Sequence, residues 1–123
     1  MSDNYFKTGL ENLKKIDETA GSNVIENLSD IAPDLARYII EFAFGQIYER
    51  PGLSLQEREL LTLSSLLTAG GCEAQLQVHI NAALHVGIKE EKIIEAFLHC
   101  IPYTGFPKVL NAVAVAGQIF SGK

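Results

Sequence analysis

The sequence predicts an all-α protein, a single domain of about six helices, and three observations carry that prediction. Apolar residues recur at steps of three and four in every long segment, the spacing of one helical face. No strand-like alternation or two-residue hairpin signal appears between them. Glu49-Arg50-Pro51-Gly52 and Gly70-Gly71 fall between periodic stretches as turn-like breaks that separate helices. With 123 residues, 47% hydrophobic and 20% charged, the chain is long enough to bury a core and too apolar to be disordered.

Tyr5, Phe6, Gly9, Leu10, Leu13 and Ile16 form an amphipathic first helix expected to stop near Gly21. Val24, Ile25 and Leu28 suggest one further turn. Ser29 or Asp30 then caps a helix with Pro33 in its first turn, running to about Gly45. Its buried side reads as Leu35, Ala36, Ile39, Ile40, Ala43 and Ile47. Phe42 and Phe44 widen the apolar arc beyond the needs of one core, which suggests a subunit contact. The Glu49–Gly52 turn separates these packing helices, residues 1–50, from a functional half over 53–117.

In that half, Ser54-Leu55-Gln56-Glu57 fits a capping box and fixes a helix start. Leu55, Glu59, Leu63 and Leu66 share a face with Thr62 beside them, so a carboxylate sits within a leucine stripe. A buried carboxylate needs a partner, and the next helix offers one. Over Gly70–Gly87, Cys72, Leu76, His79, Ala83 and Val86 fall within a narrow arc, with Gln75 and Ala82 at its edge. Glu73, Gln77, Asn81 and His85 form the opposite, polar stripe. Cys72 and His79 are therefore expected to point inward and His85 outward. A following helix begins at Lys89 with Ile93, Ile94, Phe97 and Ile101 inward until Pro102 ends it, leaving Cys100 at the margin and His99 opposite. After the Tyr103–Pro107 connection, the last helix carries Leu110, Ala112, Val113, Ala114, Val115, Ala116 and Ile119.

A net charge of -5 and a pI near 5.1 argue against a nucleic-acid or anionic-membrane partner, since both require a basic face. No basic-then-apolar leader follows Met1 and no apolar run approaches a membrane span, so the expectation is a cytoplasmic protein. Two cysteines outside any CxxC pair are expected to be reduced thiols, and His79, His85 and His99 point to different faces, which disfavours a metal site. His85, His99 and Cys100 read as solvated or structural. Arg58, beside Thr62 and Ser65, is a surface cation or the group that holds a substrate carboxylate.

The run from Glu57 to Gly117 resembles the carboxymuconolactone decarboxylase family, which includes the alkylhydroperoxidase D proteins. The resemblance covers about Leu53 to Gly117. It rests on Arg58-Glu59-Leu60, on the His79-Ile80-x-x-Ala83-Leu84-x-x-Gly87 element, and on Tyr103-x-Gly105-x-Pro107 in that order. It implies an alkylhydroperoxidase D-like helical bundle assembled as trimers or hexamers, with sites near subunit contacts bordered by Tyr103 and Phe106. It also implies functional roles at Glu59 and His79. The peroxidase branch carries a CxxC pair four residues before the histidine; here Cys72 matches the first cysteine and Gln75 stands at the second. The family's glutamate also lies one residue closer to the cysteine than Glu59 lies to Cys72, and the decarboxylase branch often has asparagine where this chain has His85.

These readings lead to one expectation and two alternatives. The resemblance implies cofactor-free decarboxylation of a small carboxylated lactone, with Glu59 and His79 in acid-base roles. Thiol peroxidase or redox chemistry through Cys72 is the second reading, and a non-catalytic oligomeric binding module the third. The expected partners are a small-molecule substrate and further copies of the chain.

Overall fold

The computed structural model describes residues 2–122, with every regular element helical and no strand among them. The helices are α1 (Ser2–Ile16), α2 (Ala20–Leu28), α3 (Pro33–Tyr38) with a π-helical continuation over Ile39–Ile47, α4 (Leu55–Ala69), α5 (Glu73–His85), α6 (Glu90–His99), α7 (Ile101–Thr104) and α8 (Phe106–Phe120). More segments form than the six expected. The single turn anticipated at Val24–Leu28 is a full helix, and Pro102 opens the short α7 after α6 has ended. Among the described residues no helix is long and apolar enough to cross a membrane.

The chain divides into two compact units, Met1–Leu55 and Gln56–Lys123, with the boundary just beyond the Glu49–Gly52 turn. In the first unit α1 lies against the π segment at backbone contact. A Cβ on Gly9 would fall on the Ile40 carbonyl, and one on Gly45 would fall on the Tyr5 carbonyl. Gly21 does not end α1, as expected, but lies buried within α2, where a Cβ would meet the Leu10 side chain. The expected cap at Ser29 or Asp30 is also displaced: Ala32 precedes α3, with no side-chain cap bond, and Pro33 holds the first turn.

The wider π turn changes which residues are buried. A face read at 3.6 residues per turn drifts when the hydrogen bonds become i→i+5. Ala36, Ile40, Phe44 and Gly45 are inside, whereas Leu35, Ile47 and Phe42 are exposed. Phe44, expected as surplus surface, packs on Tyr48 with ring centroids 4.6 Å apart. The sequence reading also missed Asn12, buried on α1. Its Nδ2 donates to the Phe44 carbonyl at 2.7 Å and to Glu49 Oε1 at 3.0 Å, so the π segment keeps a partner for a carbonyl at its inner face.

The second unit holds a continuous apolar core. Leu63 and Leu67 of α4, Leu76, Ile80 and Ala83 of α5, Ile93 and Phe97 of α6, and Val109, Ala112 and Ala116 of α8 all belong to it. Phe97 is fully buried, which contributes about 1.5–3 kcal/mol from its apolar surface alone. The alanines at 83, 112 and 116 let α5 and α8 pack closely. On α8 Leu110 is exposed and Val109 takes the inward position.

Candidate active site

The site is built on α4 and α5. Glu59, Leu63 and Leu67 follow one another at four-residue steps along the buried face of α4, so the helical repeat that buries the leucines also buries the carboxylate. Glu59 is fully buried. A charge in that position is tolerated only where it is hydrogen-bonded, and His79 Nδ1 lies 2.9 Å from Glu59 Oε1. The pair is asymmetric: the His79 side chain keeps 18% of its surface exposed while the carboxylate has 0%. With an ionised Glu59 accepting from Nδ1–H, the imidazole presents Nε2 for chemistry.

His79 stands at the edge of the α5 buried face, whose centre is Leu76, Ile80 and Ala83, one position away from the arc read in the sequence. Glu73, Gln77, Asn81 and His85 are exposed, as the polar stripe predicts, and Gln75 is exposed with them. Cys72 differs from its expected place. It does not share the apolar face of α5 but precedes the helix as its N-cap, half-buried, with φ -116 and ψ 34. Gly70 and Gly71 both adopt left-handed backbone, φ 76 and 69, and their turn delays the helix to Glu73. The Cys72 thiol donates to the Gly70 carbonyl at 3.4 Å and not to His79.

Arg58 is half-buried on α4 beside Glu59, and its carbonyl accepts from Thr62 Oγ1 at 2.9 Å. Tyr103 and Phe106 lie on either side of Gly105, whose φ of 91 turns the chain from α7 into α8, and both are strongly exposed. The Tyr103 ring meets that of His99, tilted at 44° with centroids 5.7 Å apart. Cys100 is buried in the core and His99 is exposed. The structure thus joins Glu59 to His79 and holds Cys72 at the adjoining turn. Two contacts had no local signal because their partners lie 30 and 40 residues apart: Gln56 Nε2 donates to the Val86 carbonyl at 2.8 Å, and Lys108 Nζ to the Thr68 carbonyl at 2.9 Å. Among the described residues no group of three or more His, Cys, Asp or Glu side chains is placed to hold a metal ion.

Fold and site together define an all-helical protein with a sealed carboxylate supporting an accessible imidazole. Residues 33–118 match the carboxymuconolactone decarboxylase family, so the match takes in α3 and the π segment as well as the motif-bearing half. The chain is 34% identical over 116 residues to a 4-carboxymuconolactone decarboxylase of Acinetobacter baylyi, covering 94% of this chain and 86% of that protein. It is also 34% identical over 109 residues to a nitrosuccinic acid decarboxylase of Metarhizium robertsii, covering 85% and 76%. An uncharacterised 15.0 kDa protein of Paracoccus denitrificans is 25% identical over 95 residues, 76% of this chain and 71% of its own length. This chain belongs to the carboxymuconolactone decarboxylase family.

Proposed function

We propose that the protein is a decarboxylase of a small carboxylic acid that carries its own electron sink, 4-carboxymuconolactone or a relative. The observation that carries this reading is the 2.9 Å contact between His79 Nδ1 and the fully buried Glu59. Two relatives named as decarboxylases, one acting on a carboxylated lactone and the other on nitrosuccinic acid, support the reaction class.

The bond from the leaving carboxylate to the substrate carbon breaks heterolytically and carbon dioxide departs. The electron pair moves into the conjugated acceptor, and a proton must then reach carbon. His79, held by Glu59 and protonated at Nε2, delivers that proton and is recharged from solvent, so one proton is consumed per turnover. The Glu59 carboxylate fixes the ring and stabilises its charged form while taking no proton itself. Arg58 holds a substrate carboxylate in this reading, because a guanidinium matches its geometry. No part of this scheme draws on a cofactor.

The same reading includes self-association. Leu35, Tyr38 and Phe42 follow one another along α3 and the π segment with half of their surface or more exposed, apart from Leu35 at 48%, and Tyr103, Phe106 and Leu110 exceed 60% in the second unit. Large apolar side chains clustered in this way support subunit contacts, and a trimer or hexamer would bring Tyr103 and Phe106 to the border of a neighbouring site. Turnover of 4-carboxymuconolactone by the purified protein, followed as carbon dioxide release, tests the assignment. Activity that disappears in His79→Gln supports it. No activity in the parent, or equal activity in the variant, overturns it.

A further inference from the structure

The C-terminal end of α5 is closed with unusual completeness. The Gly87 N–H donates to the Leu84 carbonyl and the Ile88 N–H to the Ala83 carbonyl, both at 3.0 Å, with Gly87 left-handed at φ 96. This is a Schellman closure, and buried Ile88 supplies its apolar contact. The Val86 carbonyl is taken by a side chain from another helix, Gln56 Nε2 at 2.8 Å. Gln56 lies against the turn itself: a Cβ on Gly87 would sit 3.3 Å from Nε2.

Gln56 precedes Glu59 by three residues on α4, and Val86, the C-cap just past α5, follows His79 by seven. Both spacings return to the same helical face. The bonds Gln56–Val86 and Glu59–His79 are therefore two rungs between one pair of helices, in antiparallel order. One rung fixes a distance only. Two rungs at different heights also fix the axial register and the roll of α5, and the roll decides whether the His79 ring meets the sealed carboxylate.

We infer that Gln56 is a positioning residue for His79, an inference that rests on the reading of His79 as the acid-base group. The bond is at the surface, so its worth to global stability is small. Its worth to the site is geometric, because an imidazole–carboxylate hydrogen bond weakens steeply as it lengthens and bends.

The test compares Gln56→Glu, which keeps the shape but faces the Val86 carbonyl with an acceptor, with Gln56→Lys, which keeps a donor of similar reach. Helix electrostatics push the other way, since a carboxylate suits the first turn of α4 and an ammonium does not. A purely structural role would therefore favour the glutamate variant. Asn81→Ala, which removes only an exposed bond to the Gln77 carbonyl on α5, is the control. The readouts are the Nδ1–H resonance of His79 in histidine-labelled protein, with kcat and KM measured on 4-carboxymuconolactone.

Gln56→Glu is expected to broaden or shift the Nδ1–H resonance of His79. It should lower kcat by about three- to tenfold with KM within roughly twofold of the parent. Gln56→Lys and Asn81→Ala should keep the parent signal. A parent-like His79 signal in Gln56→Glu, or the same disturbance in Gln56→Lys as in Gln56→Glu, overturns the inference. If the parent does not turn over substrate but Gln56→Glu alone disturbs the His79 resonance, the functional reading fails and the positioning role stands.

Discussion

At the scale of single residues, the roles proposed for Glu59 and His79 are separable by substitution. Glu59→Gln keeps the volume and one acceptor but removes the charge that stabilises a protonated ring. It is expected to lower kcat by about 10²- to 10⁴-fold while the protein still folds, measured by steady-state kinetics beside far-UV circular dichroism. His79→Ala leaves the fully buried carboxylate without the bond at 2.9 Å, so thermal or urea unfolding should show a loss of about 1–3 kcal/mol. Cys72→Ser separates the decarboxylase reading from thiol chemistry. The thiol donates to the Gly70 carbonyl, and a hydroxyl can donate there as well. Decarboxylation within about threefold of the parent is expected, since a group with no part in proton delivery contributes little to the barrier. Peroxide consumption by the parent that vanishes in this variant would instead favour the thiol reading.

At the scale of elements, the π segment explains why an N-terminal packing unit carries a buried asparagine. Asn12→Leu fills similar space but leaves the Phe44 carbonyl without its 2.7 Å donor, and a cost of about 1–3 kcal/mol is expected in denaturant unfolding. Gly45→Ala acts at the same contact by a different route, because the new methyl would fall on the Tyr5 backbone. Backbone cannot rotate away as a side chain can, so destabilisation of about 1–3 kcal/mol or more is expected. Both variants lie outside the unit that holds Glu59 and His79. If the units fold with separate cooperativity, calorimetry will show the first transition lowered and the second unchanged.

At the scale of the whole molecule, the proposed assembly rests on the exposed apolar and aromatic side chains. Sedimentation equilibrium at micromolar concentration should return a mass of three or six chains. A mass of one 13.5 kDa chain across the concentration range would refute assembly. Tyr103→Glu and Phe106→Glu put charges on side chains that are 77% and 66% exposed. They should leave the circular dichroism of the chain unchanged while shifting it toward the monomer, because a carboxylate buried at an interface loses its hydration.

The sequence by itself determined the helical class, the boundaries of α4, α5 and α8 to within about two residues, and the pairing of Glu59 with His79. All three follow from local periodicity and from one rule, that a carboxylate on a leucine face must find a partner. Tertiary structure decided the rest. α1 approaches the π segment through Gly9 and Gly45, and the π turn inverted the reading of Phe44 and Ile47 in a way that a fixed 3.6-residue period could not anticipate. Cys72 left the His79 face because two left-handed glycines delayed the start of α5. Asn12, Gln56 and Lys108 found carbonyl partners 30 or more residues away, and such partners depend on how helices cross, a quantity that no local pattern encodes.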